Sequence, residues 1–275
     1  NMGTIQTKGW ELAIDYRHTF RNGLHFGVTA SVADDKTEVT KWTHNTKIPT
    51  YGATGWWDKS AYKEGMVLGD IWGLQFDRFL TEDDFNADGS LKAGLPDQTK
   101  VFPAGYQFAP GDVLYKDLDN NGEIVKQTNT NDKGDLSVIG NALPRLQFGL
   151  NLDAAWKGFD ISMFFQGVAK RKLWAAGNQV LPGFTTGEPF YKGAEDYWTP
   201  ENTDAFYPRP MDYKQSASGN YSVNDRYLLN MAYLRLKTFT VGYSLPKVWL
   251  SKFKVQGLRV YFTGENLFTI VGVKP

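Results

Sequence analysis

Two stretches near the start of the chain alternate apolar and polar side chains at every second position. Residues 10–20 read WELAIDYRHTF and residues 24–33 read LHFGVTASVA, with Asn22-Gly23 between them. A period of two indicates a β-strand with one apolar face, and Asn-Gly favours a tight hairpin turn. Each stretch has about ten residues, enough for a tilted strand to cross a bilayer, whereas globular strands average about five or six. The pattern predicts a long β-hairpin.

The same alternation recurs in two further pairs of stretches. They occupy residues 145–156 with 159–167, and residues 234–245 with 258–268. Lys157-Gly158 turns the chain within the first of these pairs, and a short connector that begins at Pro246 joins the second. Because Pro interrupts strand pairing, the strand should end before that connector. The whole chain therefore predicts six long strands arranged as three hairpins.

Between the hairpins lie two long polar segments, residues 34–144 and 169–229, rich in Gly, Pro, Asn and Asp. Compact soluble folds rarely contain such long loops, whereas outer-membrane barrels combine short periplasmic turns with long extracellular loops. Residues 66–80 are strand-like but have no long partner, so we assign them to the extracellular loops. The predicted fold class is all-β, an antiparallel transmembrane β-barrel segment with long extracellular loops.

Composition supports a β-rich chain without choosing between membrane and water. Aromatic residues make up 15% of the chain, Gly occurs 28 times and the mean hydropathy is −0.42. Soluble sandwiches and propellers share this composition. A barrel of only six strands cannot close, since about eight strands is the smallest natural size. The chain is therefore expected to be a segment of a larger barrel.

Charge and cysteine content exclude several classes of site. Lys plus Arg and Asp plus Glu both total 30, and no basic patch predicts nucleic-acid binding. The chain has no Cys, which excludes disulfides, thiolate metal sites and a cysteine nucleophile. No motif of a serine hydrolase, P-loop or zinc enzyme occurs. His18 and His25 flank one turn and could approach each other, and such a pair more often lines a lumen than binds a metal.

A soluble alternative remains open at this stage. The chain could be a secreted β-rich glycan-binding protein, or a glycoside hydrolase that uses a pair of loop carboxylates. The two interpretations differ in one observable property. A barrel presents its apolar strand faces outward as a band about 25 Å tall, whereas a soluble fold buries them.

Several phrases, in order along the chain, resemble the C-terminal half of the SusC/RagA family of TonB-linked outer-membrane transporters of Bacteroidetes-type bacteria. The phrases are TKGWELAIDY (7–16), EGMVLGDIWGLQFDRF (64–79), PGDVLYKDLDNNGEI (110–124), VIGNALPRLQFGLNLDAAWKGFDISMFFQG (138–167), YLRLKTFTVGYSLPK (233–247) and VYFTGENLFTI (260–270). On this resemblance, residues 1–275 form the C-terminal part of a TonB-dependent receptor barrel, without its plug domain, N-terminal strands and final strand.

The resemblance also implies a function and partners. The intact protein would be a 22-stranded barrel in the outer membrane, with a plug through which the TonB complex supplies energy. It would import a nutrient, foremost an oligosaccharide, with peptides as the cargo of the RagA branch. A SusD-like surface lipoprotein would close over its extracellular loops. The expected function is transport, not catalysis.

One loop has the spacing of a calcium site. Asp117, Asp119 and Asn121 occupy the first, third and fifth ligand places of an EF-hand-like loop, and Glu123 would offer its backbone carbonyl. The twelfth place is Thr128 instead of Glu, so Asp132 or Asp135 would have to complete the set. We predict structural Ca²⁺ here, with an ordinary polar turn as the alternative.

The tryptophans fall into two groups. Trp10 and Trp156 lie at the ends of predicted strands, where aromatic girdles occur. The candidate ligand-binding residues lie in or near the long loops: Trp42, Trp56, Trp57, Trp72, Trp174 and Trp198. Exposed rings at these places would stack on sugar faces or pack against a lid protein.

Overall fold

A computed structural model describes residues 3–42, 64–126, 133–184, 190–211, 219–252 and 254–273. Its strands are β1 (Gly3–Thr19), β2 (His25–Trp42), β3 (Asp70–Gly73), β4 (Phe76–Phe79), β5 (Val113–Tyr115), β6 (Ser137–Asn141), β7 (Arg145–Trp156), β8 (Phe159–Lys170), β9 (Lys172–Leu173), β10 (Leu229–Asn230), β11 (Tyr233–Ser244) and β12 (Arg259–Val271). The helix α1 spans Lys247–Ser251, and short 3-10 helices span Glu82–Asp84, Lys192–Ala194 and Gly219–Tyr221. Within these described ranges, no helix has the length and apolar character needed to cross a membrane.

The six long strands form one antiparallel sheet in the order β1-β2-β7-β8-β11-β12. Each predicted hairpin is present, and each hairpin pairs with the next. We call this sheet the wall. Its three hairpin connections lie at one end, and the two long segments leave from the other end. The predicted fold class is confirmed, as an open sheet rather than a closed barrel.

The register places the apolar side chains of neighbouring strands side by side. One row across the wall contains Ile14, Ala30, Leu150, Phe165, Leu236 and Phe268. The next row contains Tyr16, Val28, Leu152, Met163 and Phe239. On β1 this face is open to the surroundings, since Ile14 is 57% exposed. The soluble alternative required the same face to be buried.

The height of the apolar face matches a bilayer. It extends from Trp10 on β1 to Phe20 just after the strand, about 33 Å at about 3.3 Å per residue. A tilt of about 40° reduces this to about 25 Å along the membrane normal, the height of the lipid-facing band in outer-membrane barrels. The opposite face carries polar residues such as Asp15, Thr29 and Asn151, which are paired in one row.

The first hairpin is longer than predicted. β1 has 17 residues and β2 has 18, because their pairing continues beyond the wall as a two-stranded ribbon. The β2–β7 ladder extends only from His25 to Ala33. There the Arg145 guanidinium at the start of β7 binds the Asp34 carboxylate, with Nη2 2.7 Å from Oδ2. Trp10 pairs with Asp34, so it lies at the rim of the wall in mid-strand, not at a strand end as predicted.

The long segments fold together into a structured unit. We call residues 64–144 and 171–232, as far as they are described, the loop unit. Residues 66–80 do lie outside the wall, where β3 pairs with β6 and β4 with β5. One apolar cluster of this unit contains Leu74, Phe79, Val101, Phe102, Val113, Tyr115, Ile124, Leu136, Trp198 and Ala205. It includes residues from both segments, which therefore share a core.

Candidate ligand pocket and acidic loop

The loop unit contains a concave pocket of about 360 Å³. Its lining is mainly aromatic rings and prolines, with two charged residues: Pro182, Phe190, Tyr191, Lys192, Ala194, Glu195, Tyr197, Tyr207, Pro208, Pro210 and Tyr221. This volume is within the range of about 300 to 1,000 Å³ that small-molecule sites occupy. The pocket is the candidate ligand-binding site of the described chain.

One side of the pocket is formed by a single 3-10 turn. The turn begins at Tyr191, whose carbonyl accepts a hydrogen bond from the Ala194 N–H at 2.9 Å. It leaves the Phe190 and Tyr191 rings exposed at the mouth, together with the charged ends of Lys192 and Glu195. This side of the pocket therefore presents apolar rings, with charged groups at its rim.

The opposite side of the pocket is an extended strip that contains Tyr207, Pro208 and Pro210. The strip is held in place by backbone bonds, since the Tyr207 N–H donates to the Asp196 carbonyl at 2.9 Å and the Trp198 N–H donates to the Tyr207 carbonyl at 3.0 Å. Because proline fixes its own φ, this strip loses little conformational entropy when a ligand binds.

Arg209, between the two prolines, anchors the strip to the core. Its Nε donates to Asp112 Oδ1 at 2.8 Å, and its N–H donates to the Gly111 carbonyl at 3.0 Å. The fully buried Asp112 carboxylate also accepts from the Tyr106 hydroxyl at 2.9 Å and from Asn220 Nδ2 at 2.9 Å. Burial and the adjacent Asp112 charge raise the pKa of Tyr106, so its hydroxyl stays a neutral donor.

The acidic loop (residues 117–123) brings carboxylates together. Oxygens of Asp117, Asp119 and Asp135 lie within 4.8 Å of one another. Asp135 is fully buried and accepts from the N–H groups of Leu118 and Val125, both at 2.8 Å. Carboxylates at this spacing suit Ca²⁺, which prefers oxygen ligands. Of the two residues considered for completing the ligand set, Asp135 joins the cluster, and Asp132 lies outside the described residues.

The other predicted ligands are engaged differently. The Asn121 side chain accepts from the Glu123 N–H at 2.8 Å and donates to Asp119 at 3.0 Å. The Glu123 carboxylate forms an ion pair with Lys100. Desolvation and the neighbouring carboxylates raise the pKa of Asp119. Desolvation also raises the pKa of Asp117. Hydrogen bonds outweigh it, foremost the one from the Gly122 N–H, so that the pKa of Asp117 is lowered overall. Calcium binding stays a prediction.

The chain was compared with protein-family models and with known protein sequences. No family model matches the chain. TonB-dependent receptor P3 of Formosa agariphila is 26% identical over 278 residues, which cover 98% of this chain and 24% of the relative. TonB-dependent receptor P26 of the same organism is 26% identical over 284 residues, with 97% and 25% coverage. The chain is therefore similar in sequence to TonB-dependent receptors. It spans about a quarter of the length of these relatives.

Solved structures agree with the fold of this segment. The RagAB peptide transporter matches with a TM-score of 0.67 and 17% identity, over 98% of this chain and 26% of that chain. The RagAB peptide importer in its open-open state matches with a TM-score of 0.62 and 16% identity, over the same shares. The open wall therefore corresponds to part of a larger barrel.

The predicted ligand tryptophans have different surroundings. Trp174 and Trp198 are 2% and 7% exposed, so the expectation of exposed rings is wrong for both. Their large rings fill the two apolar clusters of the loop unit, where burial is favourable. Trp72 packs partly buried against the Trp198 cluster, and Trp42 is half-buried at the end of β2. Trp56 and Trp57 lie outside the described residues.

The exposed rings of residues 190–210 are Phe190, Tyr191, Tyr197 and Phe206, none of which was predicted from the sequence. Their sequence signal is a run of aromatics and prolines between residues 190 and 210, FYKGAEDYWTPENTDAFYPRP. Our selection favoured Trp over Tyr and therefore missed them. A search for interleaved aromatics and prolines in the loops would have found this pocket.

The two histidines near the first turn do not meet. His18 pairs with Phe26 and packs between the rings of Tyr16 and Phe20, with centroids 6.4 and 4.6 Å away. His25 pairs with Thr19 and contacts its hydroxyl through Nδ1 at 3.1 Å. Adjacent pairs of a ladder project to opposite faces, so the expectation that both line the lumen is wrong for His18.

Proposed function

We propose that this chain forms part of the wall and extracellular loops of a TonB-dependent importer in the outer membrane. The carrying observation is the apolar face of the wall, exposed from Trp10 to Tyr16 on β1, with a polar face opposite, in a chain whose curated relatives are TonB-dependent receptors. Energy would come from the TonB complex through the plug of the intact protein. The proposed role is nutrient import without catalysis.

The cargo we propose is an oligosaccharide that contacts the pocket through the rings of Tyr191 and Tyr197. Flat apolar rings complement the C–H faces of sugars, and the charges of Lys192 and Glu195 at the rim would bind hydroxyl groups. Peptide is the second candidate. Proline and aromatic side chains line most of the pocket, and such surfaces also bind extended peptides. The likeness to a structure described as a peptide transporter supports this second candidate.

A SusD-like lipoprotein is the proposed partner on the extracellular side. The loop unit supports this proposal because its own core holds it in one shape, so that it offers a fixed surface. A rigid surface loses less entropy on association than free loops do. Closure of such a lid would enclose cargo held at the pocket.

The test is uptake by a strain that lacks the full-length gene and carries it on a plasmid. We expect growth on one class of oligosaccharide to require both the gene and a functional TonB system. Growth on peptides under the same requirement would select the second candidate. Growth that is indifferent to TonB in both media would overturn the import proposal.

Tyr191→Ala in the full-length protein then tests the pocket. We expect the affinity for the imported cargo to fall about two- to tenfold, because one ring stacking contact contributes about 0.5 to 1.5 kcal/mol. Tyr16→Ala, which removes a ring from the outer face of the wall, is the matched control and should bind cargo normally. Equal affinities for both variants would place the cargo elsewhere.

A further inference from the structure

The connector between β11 and β12 exposes large apolar side chains at the short-turn end of the wall. It comprises residues 245–258, of which Phe253 is outside the described set. The chain leaves the wall at Leu245, forms α1 and returns at Leu258, whose carbonyl accepts from the Leu245 N–H at 2.9 Å. The connector is therefore a closed structural element.

Its apolar residues divide into one that packs and several that do not. Leu250 is buried, and its carbonyl accepts from the Val255 N–H at 3.2 Å, which folds the connector back on itself. Val248 and Trp249 are 75% and 59% exposed, and Val255 is also exposed. Apolar area left in water is unfavourable unless another phase or partner covers it.

The charges of the connector have one sign. Lys247, Lys252 and Lys254 are all exposed, and residues 245–258 contain no Asp or Glu. Exposed Trp next to Lys is typical of segments at a membrane–water interface, where the ring sits among headgroups and the ammonium group extends toward phosphate. The charge pattern complements an anionic lipid surface.

The position of the connector agrees with its chemistry. The last apolar row of the wall at this end contains Trp156, Phe159, Tyr243 and Val260. Leu258, two residues before Val260, continues the same face by one more exposed residue. The connector thus begins where the lipid-facing band ends.

We propose that the β11–β12 connector is a lipid-headgroup anchor on the periplasmic leaflet. Val248 and Trp249 enter the boundary between headgroups and acyl chains, and the three lysines bind the phosphates of anionic phospholipids. This proposal rests on the proposed membrane location of the wall. It adds a fixed contact with one leaflet that the strands themselves do not supply.

The test measures depth at a single introduced thiol, which the absence of Cys from this chain makes practicable. The full-length protein, with any thiol elsewhere replaced, carries Val248→Cys labelled with a nitroxide. It is reconstituted into vesicles of phosphatidylethanolamine with phosphatidylglycerol. Collision with oxygen and with a water-soluble nickel chelate is then read by electron paramagnetic resonance.

Two controls bracket the result. Ile14→Cys reports the centre of the apolar band, and Ala87→Cys reports an exposed loop residue in water. We expect the label at Val248 to be several-fold less accessible to the nickel chelate than the label at Ala87. A value equal to that of Ala87 would overturn the anchor. A value at Ile14 equal to that of Ala87 would instead overturn the membrane wall itself.

The lysines are tested separately. Replacing Lys247, Lys252 and Lys254 together by Gln in the Val248→Cys protein should increase chelate access in vesicles that contain phosphatidylglycerol. In vesicles of phosphatidylcholine alone the same replacement should have little effect, since the anionic partner is missing. An equal response in both kinds of vesicle would refute recognition of anionic lipid.

Discussion

The Asp112 carboxylate should be the main attachment of the pocket strip to the rest of the loop unit. It is fully buried and accepts hydrogen bonds from the Arg209 guanidinium, the Tyr106 hydroxyl, the Asn220 amide and the Ala109 N–H. Asp112→Ala removes the acceptor of all these hydrogen bonds at once. The donors would then be left in a region that excludes most water.

The expected cost follows from this arrangement. Removing one partner of a buried ion pair costs about 3 to 5 kcal/mol. The Arg209 side chain is 24% exposed, so water screens part of its charge. The lower end, about 3 kcal/mol, is therefore expected, which increases the population of the locally open state about 150-fold.

Hydrogen–deuterium exchange of the full-length protein in detergent measures this effect. We expect faster exchange in peptides that cover residues 106–115 and 205–211, while the wall strands exchange as in the wild type. Lys36→Ala is the matched control, because it removes an exposed ion pair with Glu38 at 3.5 Å and should cost about 0.5 kcal/mol or less. Exchange in both loop peptides within about twofold of wild type would refute the reasoning.

Three further predictions concern the loop unit. The Arg78 guanidinium holds the pKa of Asp84 at about 2, below its ordinary 3.8. The associated stabilisation of about 2 kcal/mol is therefore complete above about pH 4 and lost as the pH falls toward 2. In the wild type, the rate at which pepsin cuts near Asp84 should therefore rise as the pH falls from about 4 to about 2. In Asp84→Asn the rate should show no such rise. Calcium should slow amide exchange in the acidic loop of the wild type but not in Asp117→Asn, and equal wild-type rates with and without calcium would indicate a polar turn. Gly134 has a φ of +57°, and a Cβ there would meet the Val125 carbonyl, so Gly134→Ala should destabilise the loop unit by about 1 to 3 kcal/mol in thermal unfolding.

The wall was predictable because its signals are local. Alternation over residues 10–20 specifies both the strand and its apolar face, and Gly23 has the positive φ that its turn requires. The fold class and the three hairpins follow from such patterns without knowledge of any distant contact. The extra length of β1 and β2 did not follow, because it depends on non-local contacts: residues 37–39 bond with residues 65–68 of the loop unit, and Arg145 binds Asp34.

The acidic loop was predictable in part. The spacing of Asp117 and Asp119 indicates a cation site from sequence, since both belong to one short turn. Asp135 enters the cluster from 16 residues beyond Asp119, and the sequence named it beside Asp132 as a candidate; only the folded chain shows that its carboxylate lies against those of Asp117 and Asp119. The Glu123 carboxylate pairs with Lys100, and its predicted role as a backbone-carbonyl ligand stays a prediction.

By itself, the sequence determined the alternation of the strands, the tight turns and thus the wall with its two chemically different faces. The tertiary structure decided which aromatic rings of the loops are buried and which are exposed. Trp174 and Trp198 are indistinguishable from surface rings in the sequence, because their burial depends on distant residues that meet only after folding: residues of both long segments around Trp198, and distant parts of the second segment around Trp174. The pocket at Tyr191 and Tyr207 depends on the same non-local contacts.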